Sequence, residues 1–518
     1  MRNLKAHKRE AEIALFMILA TLILGFVIYI RGYLTAPPGR FFIGHPHVKD
    51  STTYFAKMLQ GSKKGIIYYR NHLTTEPHQE AILFNFFLAM GKIAALFHIK
   101  LITMFHLSRV FWGALLLAYL YLLSFKFFKK SYERIGVMTL CCFSSGLPAL
   151  EDANIFRSIS IYPHFPAAMF FLLTYYYNFW KFTLRQTSRI PVFLCSLALF
   201  MIGIIHPWHF LPMSLVSLAI IVFLRLRGKS KPTGFLITGY LIMMIIPAGF
   251  AILYIHTYLT NETFQKVSRQ NVIQFKSIWE FLKTYGILWI PALGGAAIAM
   301  ARNRKSSMPL HAIWLLITLI IMMFPLSFQG RLIEGLHIPV CFLTMYFLVY
   351  ISYLANRKYG FVRKRTALAG IIIILAFSLY TQIKFLSFPA KQDFIFPDKF
   401  PFVEVVDFMK WCPDNLPENA NVLASWETSQ LLARTVMVNT FACHPIETVD
   451  FYNKLSLVFR FFSGKTGSRE MDDFLIQNKI DYVVHDLYSP FMRDFKPTPI
   501  METYFTIDGV LTVYKVKR

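Results

Sequence analysis

The sequence predicts a polytopic α-helical membrane protein of about 11 transmembrane helices, followed by a small extracytoplasmic α/β domain. Three observations carry that expectation. The composition is 55% hydrophobic and 17% aromatic, with a mean hydropathy of +0.47, which excludes a soluble globular enzyme. Apolar runs near the ~20 residues that cross a bilayer recur along three quarters of the chain. Basic clusters occupy every second connection between those runs, which is how membrane orientation is encoded. The net charge of +26 is therefore spread in short clusters along a membrane surface, and nucleic acid is set aside as a partner.

The apolar runs cover 13–30, 105–125, 134–150, 163–180, 190–205, 210–224, 235–259, 285–301, 309–328, 336–355 and 367–385. RNLKAHKR precedes the first run and KFFKK follows the second. KFTLRQTSR follows the fourth, RLRGKSK the sixth, RNRK the eighth and NRKYGFVRKR the tenth. These connections are expected on the cytoplasmic side, which puts the N-terminus inside and the C-terminal segment outside. The basic opening lacks a small-residue cleavage site and reads as a retained signal-anchor helix. The run AILFNFFLAMGKIAALF, 81–97, breaks the alternation if it crosses. It is expected along the outer interface, with Asn85 and Lys92 on its wetter side.

The division that follows is a transmembrane domain over 1–385, with a large first outer loop at 31–104, and an extracytoplasmic domain over 386–518. In the tail, NVLAS, VMVN, DYVVHD and GVLTVYKV read as strands. FVEVVDFMKW, ETVDFYNKLSLVFRFF and SREMDDFLIQN read as amphipathic helices. The six cysteines show no metal-finger spacing, although Cys412 and Cys443 could pair outside. No glycine-rich phosphate loop is present, which disfavours ATP-driven transport.

Acids are the scarce residue. Of 28, 17 lie in the tail, leaving 11 for the membrane half. Eight of these, Asp50, Glu76, Glu80, Glu151, Asp152, Glu262, Glu280 and Glu334, map to outer loops or outer span ends. Asp and Glu avoid apolar interiors in any case, so the bias alone says little. Asp50 and Glu151-Asp152, however, stand directly beside span ends, where a cleft between helices would be lined. The same face carries His45-Pro-His47 before Asp50, Glu76 and His78 in TTEPH, His206-Pro-Trp-His209, and Arg331 with Glu334. The loop 260–284 mixes Lys266, Arg269 and Lys276 with aromatics, as a segment lying on lipid headgroups does.

Several stretches resemble the GT-C superfamily of integral-membrane glycosyltransferases, whose members include the oligosaccharyltransferase catalytic subunit, protein O-mannosyltransferases and the aminoarabinose transferases of lipid A. They are Asp50-Ser-Thr-Thr-Tyr54 with Gln60-Gly61 and LTTEPH in the first loop, LEDANIFRSISIYPHFP at 150–166, FQGRLIEGLHIP at 328–339, and HPIETVDFYNKLSLVFRFF at 444–462. The first motif holds one Asp, where the O-mannosyltransferases carry an Asp-Glu pair. The resemblance implies a polyprenyl-phosphate sugar donor, transfer on the outer face, and a lipid, glycan or protein acceptor.

Within that expectation, Asp50 is the candidate base for the acceptor hydroxyl, since partial burial in a dry cleft suits a carboxylate to that task. Arg331 offers a forked donor set for the phosphate, assisted by Lys266 or Arg269, and His78 is a further substrate-binding candidate. Glu151 and Asp152 could hold a divalent cation bridging the phosphate, or fix the acceptor by hydrogen bonds.

Each assignment has a plainer rival. Asp50 could N-cap the helix beginning STTYFAKML, and Arg331 could pair with Glu334. His45, His47 and Asp50 invite a zinc reading without a clear fourth ligand, while HPWH reads as a turn and interface anchor. Asn261-Glu-Thr is a glycosylation sequon. His444 and Glu447 read as structural. Two other function classes compete with transfer: a lipid-linked sugar flippase or other transporter, and a non-catalytic protein of envelope assembly. Charges crowded on one face and an appended outer domain disfavour transport.

Overall fold

The computed structural model describes residues 2–147, 151–184, 189–275, 277–302, 307–388 and 399–517. Lys276, parts of the basic clusters at 181–189 and 302–305, and the start of the tail lie outside the described residues.

A helix stands at each of the eleven apolar runs. Among the described residues, seven stretches are long and apolar enough to cross a membrane: His7–Leu34, Leu101–Phe127, Pro207–Leu226, Thr233–Thr260, Ile278–Ala301, His337–Tyr359 and Arg363–Leu386. The chain is an integral, multi-pass membrane protein. The helices at the other four runs, Ser131–Phe143, His164–Thr183, Ile190–Ile205 and Pro309–Met322, fall outside that set. His164–Thr183 has the length but carries Tyr175, Tyr176, Asn178 and Lys181, and it is buried on nearly every side, as an interior helix is. The 81–97 run becomes the helix Asn85–Leu96. Its 12 residues span about 18 Å against the roughly 30 Å of a hydrocarbon core, so this helix alone does not cross.

The chain forms two compact units. The first comprises 1–27, 105–252 and 272–387. Its apolar core runs through His164–Thr183, Pro309–Met322 and His337–Tyr359. The helices Trp289–Arg302 and His337–Tyr359 touch backbone to backbone, because Gly295 has no side chain: a Cβ there would lie 2.1 Å from the Leu343 carbonyl oxygen. Three short turns, Glu151–Ala153, Pro207–His209 and Gln329–Ile333, gather at helix ends in this unit, the first two each packing on the third.

The second unit comprises 28–104, 253–271 and 388–518. It joins the first loop and the segment 253–271 to the tail. The tail folds around a five-stranded sheet of β1 (Asn421–Leu423), β2 (Asn439–Thr440), β3 (Tyr482–Asp486), β4 (Met501–Ile507) and β5 (Leu511–Val516), in the order β2-β1-β3-β5-β4. β1 is parallel to β2 and β3, while β5 is antiparallel to β3 and β4. Asp508-Gly509 turns the β4–β5 hairpin, with Gly509 at φ +71°, a conformation open to glycine at little cost. Helices Val405–Asn415, Trp426–Thr435, Phe451–Phe462 and Ser468–Gln477 complete the unit.

The first loop is helical over Val48–Lys64, and this helix crosses Asn85–Leu96 at glycine contacts made from both sides. A Cβ on Gly61 would fall 2.1 Å from the Leu88 carbonyl oxygen, and one on Gly91 would fall 1.8 Å from that of Met58. The expected Cys412–Cys443 pair does not form. Both thiols are free and buried, in separate apolar clusters.

Candidate functional site

Asp50, His78, Lys266 and Arg269 belong to the second unit; Glu151, Asp152 and Arg331 belong to the first. Each group is described within its own unit.

The helix Val48–Lys64 starts two residues before Asp50, with His47 at the cap position. Asp50 therefore does not cap it. The residue stands in the first turn, where the positive end of the helix dipole favours a carboxylate. The Asp50 side chain is 54% exposed, a partly covered carboxylate. Its neighbour comes from the far end of the chain: His444 Nε2 lies 3.5 Å from Asp50 Oδ1. The backbone N–H groups of Ile446 and Glu447 both donate to His444 Nδ1, at 3.2 Å each. A neutral His444 must then carry its proton on Nε2, directed at Asp50.

What holds His444 there is the rest of its His-x-x-Glu-Thr stretch. Lys57, two helical turns beyond Asp50, is buried and donates to Glu447 Oε1 at 2.6 Å. Tyr69 OH reaches Glu447 Oε2 at 3.3 Å, and Asn71 Nδ2 donates to the Glu447 carbonyl oxygen at 2.8 Å. Thr448 Oγ1 accepts the N–H groups of Cys443 and His444 and donates to the Leu73 carbonyl oxygen. Burial pulls the Lys57 ammonium below its usual range, while Glu447 opposes that effect. The ammonium also sits 3.7 Å from the centroid of the Phe84 ring. Gln270 adds a third segment, donating to the carbonyl oxygens of Ile446 and Thr448 and accepting the Asp450 N–H.

His78 and Lys266 border one cavity of about 570 Å³, lined also by Glu76, Glu80, His256 and Glu262. His78 keeps both ring nitrogens inside the loop: Nε2 accepts the Asn71 N–H at 3.0 Å and Nδ1 lies 2.7 Å from the Glu76 carbonyl oxygen. Burial lowers its pKa. Lys266 pairs with Glu262 at 2.8 Å, one helical turn away, and Arg269 is exposed on the same helix, Glu262–Gln270. Asn261, the sequon residue, caps this helix by accepting the Phe264 N–H at 3.3 Å.

In the first unit the three turns bring separate motifs together. Asp152 is buried in Glu151–Ala153, against the turn that carries Arg331. Arg331 lays its guanidinium over the Trp208 ring, 4.7 Å from the centroid. Glu334 is 2% exposed. Its Oε2 lies 2.6 Å from His206 Nδ1 and 2.7 Å from His209 Nε2, so both imidazoles of HPWH converge on one carboxylate oxygen. HPWH is thus a turn, as expected, and also a ligand-type cluster that the sequence did not disclose. Among the described residues this is the one set of three His, Cys, Asp or Glu side chains that could hold a metal ion; His45, His47 and Asp50 do not form one.

No family model and no curated protein matches the sequence. Solved structures do resemble the fold. ArnT from Cupriavidus metallidurans bound to undecaprenyl phosphate matches with a TM-score of 0.56 at 12% identity, over 96% of this chain and 97% of that one. The oligosaccharyltransferase AglB from Archaeoglobus fulgidus, in complex with an inhibitory peptide and a dolichol-phosphate, matches with a TM-score of 0.54 at 13% identity, over 91% and 69%. The arabinofuranosyltransferase AftD from Mycobacteria matches with a TM-score of 0.55 at 12% identity, over 98% of this chain and 40% of that one. The chain has the fold of these three structures.

Proposed function

We propose that this chain transfers a sugar from a polyprenyl-phosphate donor to an acceptor on the extracytoplasmic face of a membrane, with Asp50 as the base. One observation carries the proposal: Asp50 is a half-exposed carboxylate at a helix N-terminus, facing the Nε2 of a buried imidazole. A base of this kind must be open to substrate and must be held as the anion. Exposure meets the first need; the helix dipole and the His444 N–H meet the second. The acceptor hydroxyl attacks the anomeric carbon, the bond from that carbon to the phosphate oxygen breaks, and polyprenyl phosphate leaves with the electron pair. Asp50 takes the hydroxyl proton. His444 acts through Asp50 as a positioning residue.

The fold supports this reading, since two of the similar structures hold a polyprenyl phosphate. Arg331 is assigned to the donor phosphate, its planar fork lying over Trp208. Glu151 and Asp152 are assigned to a cation or to the acceptor. Lys266 and Arg269 contribute positive charge near the headgroups, with Lys266 already neutralised in part by Glu262. His78 shapes the first loop beside them.

The test is transfer of radiolabelled sugar in membranes from a panel of polyprenyl-phosphate donors, comparing wild type with Asp50→Asn. Asn keeps the shape of the side chain and cannot take the proton. Labelled product from wild type and none from a folded Asp50→Asn supports the proposal. Equal product from both removes Asp50 from the chemistry, and no product from any donor overturns the transferase reading.

A further inference from the structure

We infer that His206, His209 and Glu334 form a binding site for one divalent cation of the zinc class. The three residues come from two turns: Pro207–His209 with the His206 that precedes it, and the residue that ends Gln329–Ile333. The ligand atoms, His206 Nδ1, His209 Nε2 and a Glu334 carboxylate oxygen, lie within 4.8 Å of one another, and all three residues are buried. Two imidazole nitrogens and one carboxylate oxygen are a donor set that zinc accepts in tetrahedral geometry with a fourth position open.

As they stand, the contacts at 2.6 and 2.7 Å are hydrogen bonds from His206 Nδ1 and His209 Nε2 to Glu334 Oε2. That arrangement uses one carboxylate oxygen twice and leaves the other, Oε1, buried without a hydrogen-bond partner among the described residues. A buried carboxylate oxygen with no partner is costly. A cation that both carboxylate oxygens reach removes the cost, because it gives Oε1 the partner it lacks. Tetrahedral ligands at zinc distances stand about 3.4 Å apart, so the two nitrogen–oxygen edges need open by only about 0.7 Å. Each imidazole then carries its proton on the other ring nitrogen.

The surroundings suit an ion held firmly. Proline follows His206 directly, which restricts the backbone between the two histidines. The His206 ring stacks on Trp208 with centroids 4.3 Å apart and interplanar angle 24°. His164 stands edge-on to His206, with centroids 5.0 Å apart. Arg331 also lies over the Trp208 ring, 4.7 Å from its centroid, which places a guanidinium close to the cluster.

The experiment is metal binding by the purified full-length protein in detergent, a readout independent of any transferase activity. After chelation, zinc is titrated against a competing chromogenic chelator, and cobalt is titrated with visible spectroscopy. Wild type is expected to take up one equivalent of zinc and to give the intense visible bands of four-coordinate cobalt. Zinc is expected to raise its unfolding temperature. His209→Gln is expected to weaken zinc at least tenfold and to abolish the cobalt bands, and Glu334→Gln to do the same. If either variant fails to fold, the wild-type stoichiometry and cobalt spectrum still decide. Wild type that binds no zinc below micromolar concentration, or gives only the weak bands of octahedral cobalt, overturns the site. So do folded variants that bind zinc as wild type does.

Discussion

Asp50 and Glu334 both face histidine, and they are built in opposite ways. Asp50, in the second unit, is 54% exposed and has one imidazole nitrogen 3.5 Å away. Glu334, in the first, is 2% exposed and has two imidazole nitrogens at 2.6 and 2.7 Å on one oxygen. A carboxylate that trades protons with a substrate must be reachable and loosely held; one that holds a cation or fixes two helix ends must be sealed and tightly held. The difference separates chemistry from architecture more sharply than the residue types do, since both pairs are simply an acid and a histidine.

The comparison breaks first at Glu334. Glu334→Ala removes the acceptor of two buried donors and is expected to destabilise the protein by about 3–5 kcal/mol, read as a lowered unfolding temperature in detergent. Asp50→Ala is expected to change stability by only about 0.5 kcal/mol. Similar losses at both positions would dissolve the distinction. A buried ion pair in the unit of Asp50 gives the next largest effect. Lys57→Met leaves the Glu447 carboxylate without its ammonium and is expected to cost about 3 kcal/mol, with most of the loss recovered in Lys57→Met/Glu447→Gln. An additive double variant would contradict that coupling.

His72, in the same unit, is expected to add a pH dependence. Burial depresses its pKa to about 4 from an ordinary 6.5. The unfolded chain therefore binds the extra proton between those values, and stability falls as pH drops from 6.5 toward 4. The His72 ring bonds the Asn439 side chain at 3.2 Å; His72→Gln can keep that bond and is expected to flatten the acid limb of a stability curve. An unchanged limb would assign it to other groups. The smallest effect sharpens the role of His444. His444→Phe is expected to lower transfer about tenfold, the equivalent of about 1.4 kcal/mol, with KM unchanged. His444→Gln, whose amide N–H can reach toward Asp50, is expected to restore most of it. A purely structural His444 would instead move stability and leave the rate per folded molecule alone.

Much of the fold was legible because membrane segments write themselves locally: twenty apolar residues need no partner to be recognised, and a helix stands at every run. The tail was legible where apolar residues cluster, as in YVVHD, and illegible where they do not. METYFTI is exposed along most of its length, so β4 shows little of the burial pattern that marks a strand. Asp50 was singled out from a local motif, which says nothing of its surroundings. Nothing in HPHVKD reveals which side chains stand beside it. The Lys57–Glu447 pair spans 390 residues, and His206 and Glu334 are 128 apart, distances at which residue spacing carries no signal. The signals that existed, HPWH and His-x-x-Glu-Thr, were visible as motifs and read as structural.

The central claim is that Asp50 performs proton transfer and does not merely shape the loop. The most direct measurement is donor binding and single-turnover transfer, side by side, for purified wild type and Asp50→Asn with a radiolabelled polyprenyl-phosphate sugar that wild type uses. The account predicts donor affinity within about twofold of wild type and a rate of transfer lower by about 10²–10⁴-fold. An Asp50→Asn protein that binds the donor and transfers the sugar at the wild-type rate would contradict it.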